Sequence, residues 1–586
     1  MTCRPDTFLR FIALIAAVAL GACAESEQPP TTIESAQAEL ARGKPIAAEV
    51  FLERALEEGA ERSAVAAFFG QAQLQEGDMR AAREWLGPGE FSDETRALGF
   101  RLLGELEMRE GNLAEAGRAF DRSFEANPDS ADLWVDIGRL RYRGGEQLQA
   151  IEAADRALEL DEGNAEALRF RGQLARDAEG MMAGARLLER ALASRPDDVG
   201  LRVEYAATLG DAGRASDALE VLRANGGEAA QNPRGLFVQA VIAARGGYFP
   251  LARTLLTRSE LPQQEVAAAQ LLSAIIDLQE ENFASAAQTL DRLFARQPDN
   301  RRVRDLLAYA LSRSDGEREL VRRFGEFAAG SAGSTYLRTL VARAYETLDD
   351  REKAGILLDL AAVGNANLSI LPSATPPEAL AVSTVESGLE TRDYVRSAIA
   401  EREASRALGR ARAFAERHPG SGDAFAILGD AEYARGNKRA AREAYERSAS
   451  VRRPWPLTLR LAGTQDDAES ATRVLEAYVR ENPMNGEAAA ILADAYAAEG
   501  NWEQANLLLD HAIGHGMGRV PWVLAARSVG ALQGDDGETA LALALAAHDL
   551  QPMNPLAIAA LVASLPESEE AARNELRAKA QSLRGN

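Results

Sequence analysis

From near Pro29 the chain sets small against large apolar residues with a 34-residue period that holds to about Leu368. Steps of 34 from Ala36 land on Gly70, Gly104, Gly138, Gly172, Ala206, Ala240, Ala274, Ala308 and Ala342, every one glycine or alanine. Steps from Ala48 reach Ala82, Ala116, Ala150, Gly184, Ala218, Ala252, Ala286, Leu320 and Ala354, small everywhere except Leu320. Steps from Leu52 meet Leu86, Phe120, Ala154, Leu188, Leu222, Leu256, Leu290, Phe324 and Leu358, large and apolar except Ala154. Each copy therefore predicts two amphipathic helices of about three turns. A glycine-centred turn such as Glu110-Gly111-Asn112 or Arg143-Gly144-Gly145 joins them. The small residues mark the close approach of the two backbones, and the large residue one helical turn on fills the space beside that crossing. Turns at Asn127-Pro128-Asp129, Arg195-Pro196-Asp197 and Gln297-Pro298-Asp299 stop second helices and open the next copy.

At these residues the chain resembles the tetratricopeptide repeat family. The copy at 131–164 carries Trp134, Ile137, Gly138, Ala150 and Ala157, and that at 97–130 carries Phe100, Leu103, Gly104, Ala116, Phe120 and Pro128. Glu107 and Arg141 stand where the family places tyrosine, and Glu162 where it places proline. The copies at 199–232 and 301–334 match only by phase and by their small residues. The phase breaks at Ser369–Ser387, where Pro372, Pro376 and Pro377 read as a linker. A second array follows, with small anchors at Ala407, Ala441, Ala471, Ala505 and Ala540, spaced 34, 30, 34 and 35. Its clearest matches are Phe425, Leu428 and Gly429 with Ala441 and Tyr445, then Leu492, Ala493 and Tyr496 with Ala505. A charged helix over roughly 567–583 suits a polar end cap.

The resemblance implies an all-α fold, a right-handed α-solenoid of about fifteen stacked helix pairs in two arrays. The expected organisation is an address at 1–22, a tether at 23–31, ten copies over 32–368, a linker at 369–387 and a second array over 388–586. It also implies a non-enzymatic scaffold that binds protein or peptide partners along a concave face.

Composition narrows the function classes. Acids outnumber bases 89 to 66, a formal charge of −23, which argues against a sequence-independent nucleic-acid binder. Two cysteines and four histidines leave no material for a disulfide framework or a Cys/His zinc cluster. One cysteine has an evident use. Arg4 and Arg10 precede the apolar run Phe11–Leu20 and then Leu20-Gly21-Ala22-Cys23, the pattern of a secretory signal too short to span a bilayer. The ending resembles a bacterial lipobox, which implies an acylated Cys23 at the mature N-terminus and stable membrane anchoring. Ala24 in place of aspartate favours the outer membrane, with the chain facing the periplasm. The alternative is an ordinary cleaved signal with a chance cysteine.

Chemistry-bearing spacings are sparse. Gly43-Lys44 lacks the earlier glycine of a P-loop, and neither a Gly-x-Ser-x-Gly elbow nor a His-Glu-x-x-His motif occurs. His511 and His515 share a helix face and read as a helix end between copies rather than a metal site; the pairs Asp466-Asp467 and Asp535-Asp536 read as helix caps. No catalytic residue, metal or cofactor is expected.

Surface positions remain. In the family the groove is lined by residues 2, 5, 9, 12 and 13 of each first helix. In copies three to five these places hold Arg101, Arg109, Arg139, Tyr142, Arg143, Arg169 and Arg176 against Glu105, Asp132, Glu166 and Asp177. That is a locally positive stripe for an acidic peptide or an anionic polysaccharide. In copies seven and eight they hold Phe237, Val241, Leu271, Ile275 and Leu278, which would suit a partner helix unless neighbouring copies cover them. The chain is similar to envelope lipoproteins that assist polysaccharide or protein export, and more loosely to repeat lipoproteins of exosortase-type systems. The expected role is a lipid-anchored interaction scaffold; the alternative is a direct carrier of an anionic exopolysaccharide.

Overall fold

The computed structural model describes residues 31–330, 333–362 and 387–584. Cys23, the address and all of the expected linker but Ser387 lie outside the described residues. Among the described residues there are 33 α-helices in stacked pairs and no strand, an α-solenoid architecture. The chain forms two compact units, one up to Asp136 and one from Ile137 onward, the boundary falling within the helix Ala131–Arg143.

The first unit holds the pairs Thr32–Ala41 with Pro45–Glu57, Arg62–Glu76 with Met79–Leu86, and Arg96–Glu110 with Leu113–Ala126. Side chains close the helix starts: Thr31 and Glu34 form a reciprocal capping box, and Asp78 accepts from the Ala81 N–H. First helices end at glycines in the left-handed region, Gly77 at φ 85° and Gly111 at φ 89°. The crossing is tighter than the spacing alone implies. A Cβ on Gly104 would lie 2.3 Å from the ring of Phe120, so the large residue of the second helix packs directly over the small residue of the first.

The second unit repeats this arrangement, and a Cβ on Gly429 would lie 2.3 Å from the ring of Tyr445. Two local departures explain irregularities in the period. The helix Ala215–Arg223 is short, and the single turn Glu228–Gln231 occupies the remaining length, so the phase survives. The helix Trp455–Gly463 has 9 residues where Gly422–Ala434 has 13, which removes the four residues that shorten the 34 spacing to 30 between Ala441 and Ala471. Ala471 is accordingly only half-buried. The second acid of each paired motif is a cap: Asp467 accepts from the Ser470 N–H at 2.7 Å, and Asp536 from the Thr539 N–H at 3.0 Å.

Helices on the two sides of residues 363–386 touch directly within this unit. The Leu148 N–H donates to the Gly420 carbonyl at 3.1 Å, and the Gly422 N–H to Oε1 of Gln147 at 3.1 Å. One copy further on, the Arg453 N–H donates to the Asp177 carbonyl at 2.9 Å. Gly180, at φ 103°, sits where a Cβ would come 2.7 Å from that of Glu481, so both its conformation and its neighbour require glycine. Gly213 lies against Pro483 and Met484, and the guanidinium of Arg519 stands 4.2 Å above the Tyr309 ring. The start of the second helix at 147–148 and the turns after first helices at 177–180 and 213 thus meet successive inter-pair turns at 420–422, 453 and 481–484.

Candidate functional site

Three of the six arginines of the expected stripe, Arg101, Arg139 and Arg169, are tied to acids of neighbouring helices, and Arg109 to one on its own helix. Arg101 and Arg169 stand at the same repeat position two periods apart, and each reaches 35 residues ahead. Nη1 of Arg101 donates to Oδ2 of Asp136 at 2.9 Å, and Nε of Arg169 to Oε2 of Glu204 at 2.7 Å. Asp136 is only 3% exposed. Burial opposes the charge on Arg101, but Asp136 and Asp132 outweigh it and hold its pKa above the ordinary arginine value. Arg109 donates to the Leu74 carbonyl at 2.9 Å and to Glu105 at 2.5 Å. Arg139 donates to Glu166 at 2.6 Å while lying over the Phe170 ring. Glu166 also meets Arg195 at 3.3 Å.

The remaining stripe residues are placed differently. Arg143 is exposed and Arg176 half-buried. Tyr142 has its pKa raised, first by burial and then by Asp177, with Arg452 acting in the opposite sense. Part of the surroundings of Tyr142 therefore comes from beyond residue 387. The local excess of positive charge seen in the sequence is largely spent between copies.

Second helices use arginine in the same way. Arg83 pairs with Glu107 and Glu110, and Arg253, at the same repeat position, pairs with Asp277 and Glu280, in each case 24 and 27 residues on. Arg338 donates to the carbonyls of Ala328, Gly330 and Leu360 at 3.0, 2.9 and 3.1 Å, satisfying helix ends that have no intrahelical donor. Reading the groove positions alone missed these links. Their signal is an acid one residue past the period, or 24 and 27 residues after a second-helix arginine.

The apolar patch is a correction in part. Leu278 is 5% exposed inside a core cluster, so it faces no partner. Leu271 packs against the same cluster, Phe237 and Val241 pack against the core that their own copy shares with the next, and Ile275 is half-buried. Neighbouring copies supply the covering. His511 Nε2 lies 2.6 Å from the Pro483 carbonyl and His515 Nδ1 2.7 Å from the His511 carbonyl, with the two rings stacked at 4.0 Å. Each ring thus spends one nitrogen on the backbone. Among the described residues no group of three or more His, Cys, Asp or Glu has metal-binding geometry, and no helix is long and apolar enough to cross a membrane.

A second arginine cluster, at Arg392, Arg396, Arg452 and Arg460, lines a cavity of about 520 Å³ in the second array, with Arg392 and Arg396 at groove positions 5 and 9 of their copy. Its residues come from three successive helix pairs and from Gln147, so no single motif marks it.

No curated protein matches the chain. Among solved structures, the anaphase-promoting-complex hetero-tetramer Cut9–Hcn1 is similar at 14% identity, over 91% of this chain and 95% of that one, with a TM-score of 0.25. The human IFIT1 dimer with PPP-AAAA is similar at 15% identity over 70% and 94%, TM-score 0.34. YrrB, described as a TPR protein with an unusual peptide-binding site, is similar at 22% identity over 33% and 97%, TM-score 0.26. The tetratricopeptide repeat model matches residues 101–165 and 395–456, one stretch on each side of the expected linker.

Proposed function

We propose that the protein is a non-enzymatic interaction scaffold for protein or peptide partners, held by lipid on Cys23 at the outer membrane and facing the periplasm. In that setting it assists export of envelope polysaccharide or protein. The observation that carries the scaffold reading is the use of polar side chains: they lock copy to copy and leave long stacked surfaces in fixed register. The reading of the anchor rests on Leu20-Gly21-Ala22-Cys23. The exopolysaccharide-carrier alternative is weakened, because Arg101, Arg109, Arg139 and Arg169 already hold carboxylates.

Photo-crosslinking in intact cells, with the crosslinker on exposed groove positions of the first helices such as Arg143, tests the scaffold. Recovery of a discrete set of envelope proteins is expected, and labelling no different from that of an unrelated envelope protein would defeat it. For the anchor, Cys23→Ala should move the protein from the membrane fraction to the soluble periplasm. Retention in the membrane would contradict it.

A further inference from the structure

The second helix of the first copy, Pro45–Glu57, carries two apolar stripes. Ala48, Leu52 and Ala55 are buried in the core. Ile46 and Val50 stand two residues before the first two of these, about 200° around the helix, and face outward. Ile46 is 72% exposed, the most exposed large apolar side chain among the described residues, and Val50 is 53% exposed. The period isolates this copy. Steps of 34 from Ile46 and Val50 meet Arg80 with Glu84, Ala114 with Arg118 and Arg318 with Arg322, and in no other copy of the first array are both places large and apolar.

The charge around this pair is equally local. On a chain of formal charge −23, no acid occurs between Glu39 and Glu49. The turn that leads into the helix holds Arg42, paired with Glu39 at 2.5 Å, and Lys44, and both are exposed. Glu49 is directed inward, where it accepts from Nε2 of Gln73 on the next first helix. The exposed acids of Pro45–Glu57, Glu53 and Glu57, begin about one turn past Val50.

Position along the chain selects what covers this face. Cys23 and Thr31 are separated by eight residue steps, a reach of about 28 Å when fully extended. The helix Thr32–Ala41 then adds only 10 residues before the turn, a rise of about 15 Å. An acylated Cys23 would therefore hold the first helix pair beside the bilayer at high effective concentration. An apolar pair flanked by cations is suited to the boundary between the headgroups and acyl chains of an anionic membrane.

We propose that the start of Pro45–Glu57, through Ile46, Val50 and Lys44, docks on the lipid surface into which the Cys23 acyl chains insert. The inference rests on the anchor reading and goes beyond it: the acyl chains hold the protein, and this face fixes how the first copy lies on the membrane. Two side chains are too few to retain the chain alone, so loss of the acyl chains still releases it.

The test reconstitutes the full acylated protein in vesicles of equal parts phosphatidylethanolamine and phosphatidylglycerol. With Cys23 acylated, a newly introduced cysteine is the only free thiol, and it carries a polarity-sensitive nitrobenzoxadiazole label. The label at Ile46→Cys should shift its emission to the blue and be quenched at least twofold by brominated lipid. The label at Leu507→Cys, a residue 62% exposed, should show neither effect. Adding Lys44→Glu and Val50→Glu to Ile46→Cys should bring quenching down to the Leu507→Cys level. Quenching at Ile46→Cys no greater than at Leu507→Cys would overturn the proposal. A blue shift that brominated lipid leaves unquenched would also overturn it, by showing that protein covers the face. Quenching undiminished by Lys44→Glu and Val50→Glu would overturn the choice of residues. The mass of the mature N-terminus reports the anchor separately. Acylated Cys23 with an unquenched label removes the docking and leaves the anchor standing; an unmodified Cys23 removes both.

Discussion

The arginines of residues 97–177 and those of residues 392–460 look alike in sequence and do different work. In the first region Arg101, Arg109, Arg139 and Arg169 each find a carboxylate on their own or a neighbouring helix. In the second, Asp430 serves Tyr445 and Arg460, and Nε of Arg396 has no acceptor. A count of positive groove positions ranks the first region higher. A count of acids within reach reverses the order, because an ion pair closed between copies has little charge left to offer a ligand. Partner spacing, more than arginine number, separates a staple from an arginine with an unmet donor.

The largest effect expected concerns the best-buried staple. Asp136→Leu should cost about 3 kcal/mol in urea unfolding by taking from Arg101 the carboxylate it is bonded to, whereas Arg101→Met with Asp136→Leu should return close to wild type. If single and double changes cost the same, the pair is no staple. Next come changes that treat both regions equally. Gly104→Ala and Gly429→Ala each force a Cβ to 2.3 Å from an aromatic ring and should each cost about 2 kcal/mol, showing that the packing rule is shared and only the arginine chemistry differs. A smaller loss, about 1 kcal/mol, is expected for Glu204→Gln, which loses the charge facing both Arg169 and Gln173.

The smallest effect is a pH dependence. Burial, with Lys579 and Arg343 nearby, holds the pKa of His548 below its usual 6.5. The unfolded chain therefore takes up this proton first. Its contribution is complete above about pH 6.5 and fades as pH falls through the lower folded value. Acidification from about pH 7.5 to about pH 5 should lower Tm, and by less in His548→Gln. Equal pH dependence in the two proteins would remove His548 from the account.

Much of the fold was legible because size and period are local properties. Ala36, Ala206, Ala240, Ala274, Ala308 and Ala342 are fully buried as the 34-residue phase requires, as are Leu52, Leu86, Leu188 and Leu222. What stayed hidden depends on neighbouring copies. The staples reach position 35 rather than 34, so a reading in register pairs Arg101 with Val135 and overlooks Asp136. Leu278 occupies a groove position by family pattern, yet it joins the core of the next copy. The cavity needs the shortened helix Trp455–Gly463 and a glutamine some 275 residues before Gly422, neither of which a repeat pattern contains.

The most direct test of the distinction between a staple and an arginine with an unmet donor is to compare Arg101→Met and Arg396→Met in parallel urea titrations. The two changes delete the same group. Opposite signs are expected: destabilisation by about 3 kcal/mol for Arg101→Met, which strands Asp136, and stabilisation for Arg396→Met, which removes a half-buried guanidinium whose Nε has no acceptor. Loss of stability in both would mean that Arg396 is held as firmly as Arg101, and the difference between the two regions would collapse.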